Sequence, residues 1–207
     1  MAHGRTIALI GGHPALDFAN TAGWHASEDR LEHLARYDDV AVWARRAGVI
    51  SARAAATLRR LAARRPRHAE RALRRAIDLR EVIYRVFAAI AQQRRPPARD
   101  VVRLHAARAN ALRKATPRWG GNGVELHWPD DPPDLERPLY PIVLAAGDLL
   151  TSPPPGRLRQ CGNHPCGWLF IDRSRNGTRR WCSAQECGNT SRVRRFRARR
   201  SSRPGRG

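Results

Sequence analysis

The sequence predicts a mainly α (α+β) protein in two parts: a helical N-terminal domain over residues 1–152 with one short β-hairpin, then a small cysteine-centred module over 157–200 with its own hairpin and a basic C-terminal helix. Three observations predict it. Apolar residues recur at helical spacing through most of the first 150 positions. All four cysteines lie between residues 161 and 187. The stretch Ser152-Pro153-Pro154-Pro155-Gly156 stands between the two regions, and a triple proline is semi-rigid, so 153–156 reads as a linker. A chain of 207 residues with 42% apolar side chains can bury a real core, which excludes wholesale disorder.

Taken in order, Gly11-Gly12-His13-Pro14 leads into Ala15-Leu16-Asp17-Phe18-Ala19-Asn20, a helix start that lacks a Walker or Rossmann pattern. His13, Asp17 and Asn20 are the candidate ligand site there. Asp38 or Asp39 is expected to cap a helix whose Val40, Trp43, Ala44 and Ala47 face a core, with Gly48 as its stop. Ser51 caps the next helix, through Leu58 and Leu61 and ending before Pro66. A longer helix over roughly 67–94 carries Leu73, Ile77, Tyr84, Phe87 and Ile90 on one face and stops at Arg95-Pro96-Pro97. The helix over 98–115 buries Val101, Leu104, His105 and Leu112, with His105 a packed core residue. Val124 to Trp128 alternates as a strand, with Arg118 and Trp119 in its partner. Residues 129–133 form an acidic, proline-rich loop, and 139–150 is apolar nearly all round, hence a buried helix. In the last module Trp168 to Ile171 is a strand, Ser174 to Thr178 contains an Asn-Gly pair suited to a hairpin, and Ser191 to about Arg200 is helical with Val193 and Phe196 packed inward. Residues 201–207 read as a disordered tail.

Charge and cysteine spacing point to function. The net charge is +21, and Lys114 is the only lysine among the 39 basic residues. Fourteen arginines against Asp172 and Glu186 give residues 157–207 a net +12, so this segment is the one expected to face a polyanion. Nucleic acid is the default polyanion inside a cell. Nothing resembles a membrane span, a membrane-surface helix or a secretory signal, and the expectation is a soluble cytoplasmic, nucleoid-associated protein. Cys161, Cys166, Cys182 and Cys187 form C-x4-C pairs fifteen residues apart, a spacing that can bring four thiolates around one tetrahedral zinc ion. Two disulfides or four unrelated thiols are the alternatives, and a reducing compartment disfavours the former. A closed four-cysteine set is structural, with no open position for catalysis. His164, inside the first pair, reads as a solvent-facing turn residue.

The run from Cys161-Gly-Asn-His-Pro-Cys166 through Asp172 and Asn176, with Arg180-Trp181-Cys182 and Cys187-Gly188-Asn189, closely resembles the CGNR zinc-finger family. Leu16 to Thr21, Tyr37 and Trp43 to Gly48 look like the ABATE domain that precedes this finger. The resemblance implies a stress-induced transcription regulator with those four cysteines as zinc ligands. Thr190 stands where the family motif has Arg, which removes one phosphate contact if that Arg makes one.

Three functions are weighed. The first is a DNA-binding transcription regulator in which zinc holds the knuckles and Arg173, Arg175, Arg179, Arg180, Arg192, Arg194, Arg195, Arg197 and Arg199 meet nucleic acid, since the guanidinium fork binds phosphate and can read guanine. Here the N-terminal domain is a sensor for a small-molecule effector, a homodimerisation module, or both. The second is RNA binding, with Trp168, Phe170 or Trp181 stacking on bases. The third is an enzyme using His13 and Asp17 as an acid–base pair, which only their i, i+4 spacing supports. The expectation is not an enzyme.

Overall fold

The computed structural model describes residues 7–201 apart from 26, 122, 130 and 155, and the backbone only of 199–201. Among the described residues there are seven α-helices and three two-stranded antiparallel sheets. Pro14–Ala19 (α1) is short and almost wholly buried, because Leu16 and Phe18 are apolar and Ala15 and Ala19 admit close packing. His13 caps it by accepting the Ala15 N–H at Nδ1, and Pro14 takes the first helical position, where a missing N–H costs nothing. Ala22–Gly23 (β1) pairs with Leu31–Glu32 (β2).

Tyr37–Arg46 (α2) places Val40, Trp43 and Ala44 in the core as the spacing predicts. Its cap differs from the expectation. Arg36 is the cap residue, and Asp39 acts from the third helical position by accepting the Arg36 N–H at 2.9 Å. Gly48 ends this unit at φ +70°, a left-handed conformation that needs no Cβ. Ser51 caps Ala52–Arg64 (α3) through the Ala54 N–H at 3.1 Å. Pro66–Ala91 (α4) is the longest helix, starting one residue earlier and stopping three earlier than predicted. Its inward stripe is built from small residues, Ala69, Ala72 and Ala76, followed by Arg80, Ile83 and Phe87, while Leu73, Ile77 and Ile90 are only half-buried.

Ala98–Arg113 (α5) is rotated from the expected phase. It buries Asp100, Leu104 and Ala111, leaving His105 exposed and Leu112 42% exposed. The physical reason is Asp100, whose carboxylate binds Arg85 of α4 through both oxygens at 2.7 and 2.8 Å and draws that side of α5 inward. Thr116–Gly120 (β3) and Gly123–His127 (β4) form the expected hairpin, with Trp119 opposite Val124 and both strongly exposed. Leu139–Thr151 (α6) is buried over most of its surface and packs on α1 and α5.

Beyond the prolines, Leu158–Gln160 (β5) pairs with Leu169–Ile171 (β6), and Leu158 and Leu169 enter the same core as α1, α4 and α6. The finger hairpin is therefore β5–β6, closed by the first cysteine pair. The Asn176-Gly177 turn joins no paired strands; the Asp172 carboxylate organises it by accepting the Ser174 N–H, the Ser174 hydroxyl and the Arg179 N–H at 2.6–2.9 Å. A π-turn over Ala184–Gly188 runs into Asn189–Ser201 (α7). Val193 and Phe196 are 41% and 59% exposed instead of packed inward, on a helix that runs on directly from the π-turn. Residues 202–207, expected to form a tail, and Pro155 of the linker lie outside the described residues. Among the described residues no helix is long and apolar enough to cross a membrane.

Candidate metal centre and basic surface

The β5–β6 hairpin creates the first half of the metal centre. Cys161 directly follows β5 and Cys166 lies two residues before Trp168, whose carbonyl accepts the Cys161 N–H at 2.7 Å. The second half begins where the Gly162 N–H reaches the Arg180 carbonyl at 3.0 Å, bringing Cys182 across from the first pair. Ser183 then starts the π-turn by accepting the Glu186 N–H, and the wide turn swings Cys187 back toward Cys182.

All four sulfurs lie within 4.8 Å of one another. Cys182 Sγ is 3.6 Å from that of Cys166 and 3.5 Å from that of Cys187. A tetrahedral zinc with bonds near 2.3 Å sets its sulfurs about 3.8 Å apart, so the donor set fits that ion with little adjustment. Four soft donors exclude hard cations such as magnesium. The neighbouring Cys166 and Cys182 side chains hold the Cys161 thiol far below its ordinary range, and the Cys182 N–H points to Cys161 Sγ at 3.4 Å. Cys161, Cys166 and Cys182 are buried and Cys187 is half-buried. His164 is exposed and outside the sulfur cluster. The four cysteines thus hold one metal ion, a structural zinc.

Around this centre the arginines divide by what they already touch. Arg179 is half-buried, donating to the carbonyls of Trp181 and Cys182 and lying 4.3 Å over the Phe170 ring, so it works inside the finger. Arg194 donates to the His164 carbonyl at 2.8 Å and ties α7 to the first cysteine pair. Arg173 donates to Gly12 O at 2.9 Å. Arg180 and Arg195 are brought together at Trp181, 5.7 and 5.9 Å from its ring. Arg175, Arg192 and Arg197 are exposed, as are Arg194 and Arg195. The side chain of Arg199 lies outside the described residues. Thr190 donates its hydroxyl to the Glu186 carbonyl at 2.9 Å, joining the π-turn to α7.

Asp17 lies on α1 and His13 and Asn20 flank it as its two caps, each of the three with a separate partner. Asp17 is buried and accepts the Gly11 N–H at 2.8 Å; burial raises its pKa against that bond. Burial likewise lowers that of His13. Asn20, fully buried, donates to the Leu169 carbonyl and accepts the Leu169 N–H, both at 2.8 Å. It clamps β6 to the helical part. Sequence reasoning missed the other ties across this seam: the Trp168 indole N–H to Ala22 O at 2.9 Å, the His25 N–H to Cys166 O at 3.1 Å, and the Tyr84 hydroxyl to Gly167 O at 3.1 Å. No local signal announces them, since the partners are more than 80 residues apart.

Comparison with known families agrees with this anatomy. The family model ABATE, described as a putative stress-induced transcription regulator, matches residues 12–153, and that of the CGNR zinc finger matches 157–200. No curated protein matches the chain. Since the first model spans most of the sequence and the second ends it on an intact four-cysteine centre, the chain belongs to the ABATE family and carries a CGNR zinc finger.

Proposed function

We propose that this protein is a DNA-binding transcription regulator whose zinc-held finger presents α7 to the duplex. The observation that carries this reading is the run of exposed arginines 192, 194, 195 and 197 on a helix that starts at the metal centre, with Arg180 meeting Arg195 at Trp181 and Arg175 exposed on the same module. No acidic residue interrupts α7. Guanidinium groups grip phosphate and can read guanine edges from one helix, which suits a groove.

The aromatics support a duplex over single-stranded RNA. Phe170 is fully buried under Arg179, Trp168 is anchored by its indole N–H, and Trp181 is flanked by two guanidinium groups, so base stacking has few open ring faces to use. The helical part supplies the input side in this reading, by effector binding or by forming a homodimer. The reading contains no catalytic step, because His13 and Asp17 each act as local caps.

The test is selection from a random duplex pool at about 0.15 M salt, comparing zinc-loaded protein with Cys182→Ser. Enrichment of one motif by the zinc-loaded form alone is expected. If about six phosphates are neutralised, log affinity falls with log salt at a slope near −5. Equal retention by both forms without enrichment overturns the reading, and preferential capture of single-stranded RNA competitor turns it to RNA.

A further inference from the structure

The N-terminal end of α4 is built against the helix dipole. Helix starts favour acids, because unpaired N–H groups and the aligned peptide dipoles make them positive. The 26-residue α4 has no acid in its first turn and no side-chain cap, and it begins with Arg65, Arg67, His68 and Arg71. Cations at the positive end of a long helix repel it, and such local conflicts concentrate at functional positions.

This end opens onto a cavity of about 650 Å³, the size of a small-molecule site. Its walls are the start of α4, Lys114 after α5, and residues 128–129 and 131–137 ahead of α6. Five cations and three acids line it, a net +2 with His68 neutral. Two of those acids are already engaged: Asp134 accepts from Lys114 at 2.7 Å and from the Tyr140 hydroxyl, and Glu136 pairs with Arg75. Asp131 is exposed at the rim. Arg65, His68 and Arg71 have no side-chain partner among the described residues. Apolar groups line the same cavity. Trp128 is fixed by its indole N–H to the Ala111 carbonyl at 2.9 Å, and its ring lies 6.0 Å from that of Tyr140, with Leu61 and Leu135 alongside.

We propose that this cavity binds a planar organic anion, its carboxylate on Arg71 and Arg65 at the helix start and its flat apolar body against Trp128 and Leu61. The anion relieves the repulsion at the helix terminus, and the fork of Arg71 matches a carboxylate in two bonds. Only its role as the effector site rests on the regulatory function proposed above; the binding stands apart from DNA.

The test is calorimetric titration of the zinc-loaded full chain with 2-naphthoate, 2-naphthamide and inorganic phosphate. Saturable one-to-one binding of 2-naphthoate is expected, at least about tenfold tighter than the neutral amide or phosphate, since charge-assisted bonds and apolar contact both contribute. Arg71→Glu, an exposed position, weakens it at least about tenfold with no fall in melting temperature. Arg74→Glu, the same charge change on a residue outside the cavity and paired with Glu70, leaves affinity within about twofold. Absence of saturable binding, equal affinity for the amide, or equal loss in both variants overturns the proposal. Ligand binding without DNA binding would instead sink only the regulatory reading.

Discussion

Asn20→Ala tests how the helical part and the zinc finger are joined. Asn20 is fully buried, and its amide holds both the N–H and the C=O of Leu169 at 2.8 Å, across 149 residues of sequence. Leu169 is itself fully buried, so water cannot replace either bond without opening the seam. Truncation leaves one donor and one acceptor unsatisfied, each costing about 1–3 kcal/mol, and a small cavity besides. The expected loss is about 3–5 kcal/mol, a large part of the 5–15 kcal/mol typical of a folded domain. Urea unfolding followed by far-ultraviolet circular dichroism on zinc-loaded protein measures it, with an unchanged slope showing that the same transition is compared. Asn20→Asp restores only the acceptor and sets a carboxylate against the Leu169 carbonyl, so it does not rescue. A loss below about 1 kcal/mol would refute the clamp, because it would mean that the Leu169 groups find other partners at no cost.

Further expectations follow from the same packing. Arg80 is 3% exposed and binds Glu32 at 2.6 and 2.7 Å and Glu81 at 2.9 Å; Arg80→Ala strands these carboxylates and costs about 3 kcal/mol in urea unfolding, against under about 0.5 kcal/mol for the exposed Arg74→Ala. Burial opposes ionisation of Glu81, but the nearby His25 and the hydrogen-bonded Arg80 guanidinium win and hold its pKa down to about 2. A lowered carboxyl pKa stabilises the fold above the ordinary value near 4.5, and that stability is lost as pH falls toward 2, so wild type loses about 2 kcal/mol over this window and Glu81→Gln shows a flatter acid limb in pH-dependent melting. Gly48→Ala forces a Cβ onto a residue at φ +70° with nothing within 4 Å, so backbone strain alone lowers stability by about 1 kcal/mol, measurable in the same unfolding assay. Chelation of the metal, or Cys182→Ser, abolishes the ordered finger, seen as loss of one equivalent of zinc and of the hydrogen-exchange protection of the Leu169 amide.

Much of the architecture was legible because its causes are local. Ser51, Gly48 and Pro66 mark helix ends through the conformation or hydrogen bond each residue type allows, and Val40, Trp43 and Ala44 declare a buried face through their spacing alone. Where the reading of α5 failed, the cause was a single distant ion pair. Arg85 draws Asp100 inward and rotates His105 out, an effect no apolar periodicity can report. Val193 and Phe196 misled for a related reason: spacing shows that two residues share a face but not how far that face is buried.

The same division holds for the site. The amino-acid sequence by itself determined the four metal ligands, since two short knuckles can converge on one ion and thiolate chemistry selects it, and it determined a basic segment around them. Tertiary structure alone decided which arginines are engaged inside the finger and which face outward, turned Asn20 from a candidate ligand residue into a clamp on β6, and assembled the cavity at the start of α4 from three separated segments. The physical reason is sequence distance: knuckles and helix caps close over a few residues, whereas a clamp across 149 residues or a cavity between helices exists only once the core has placed its walls.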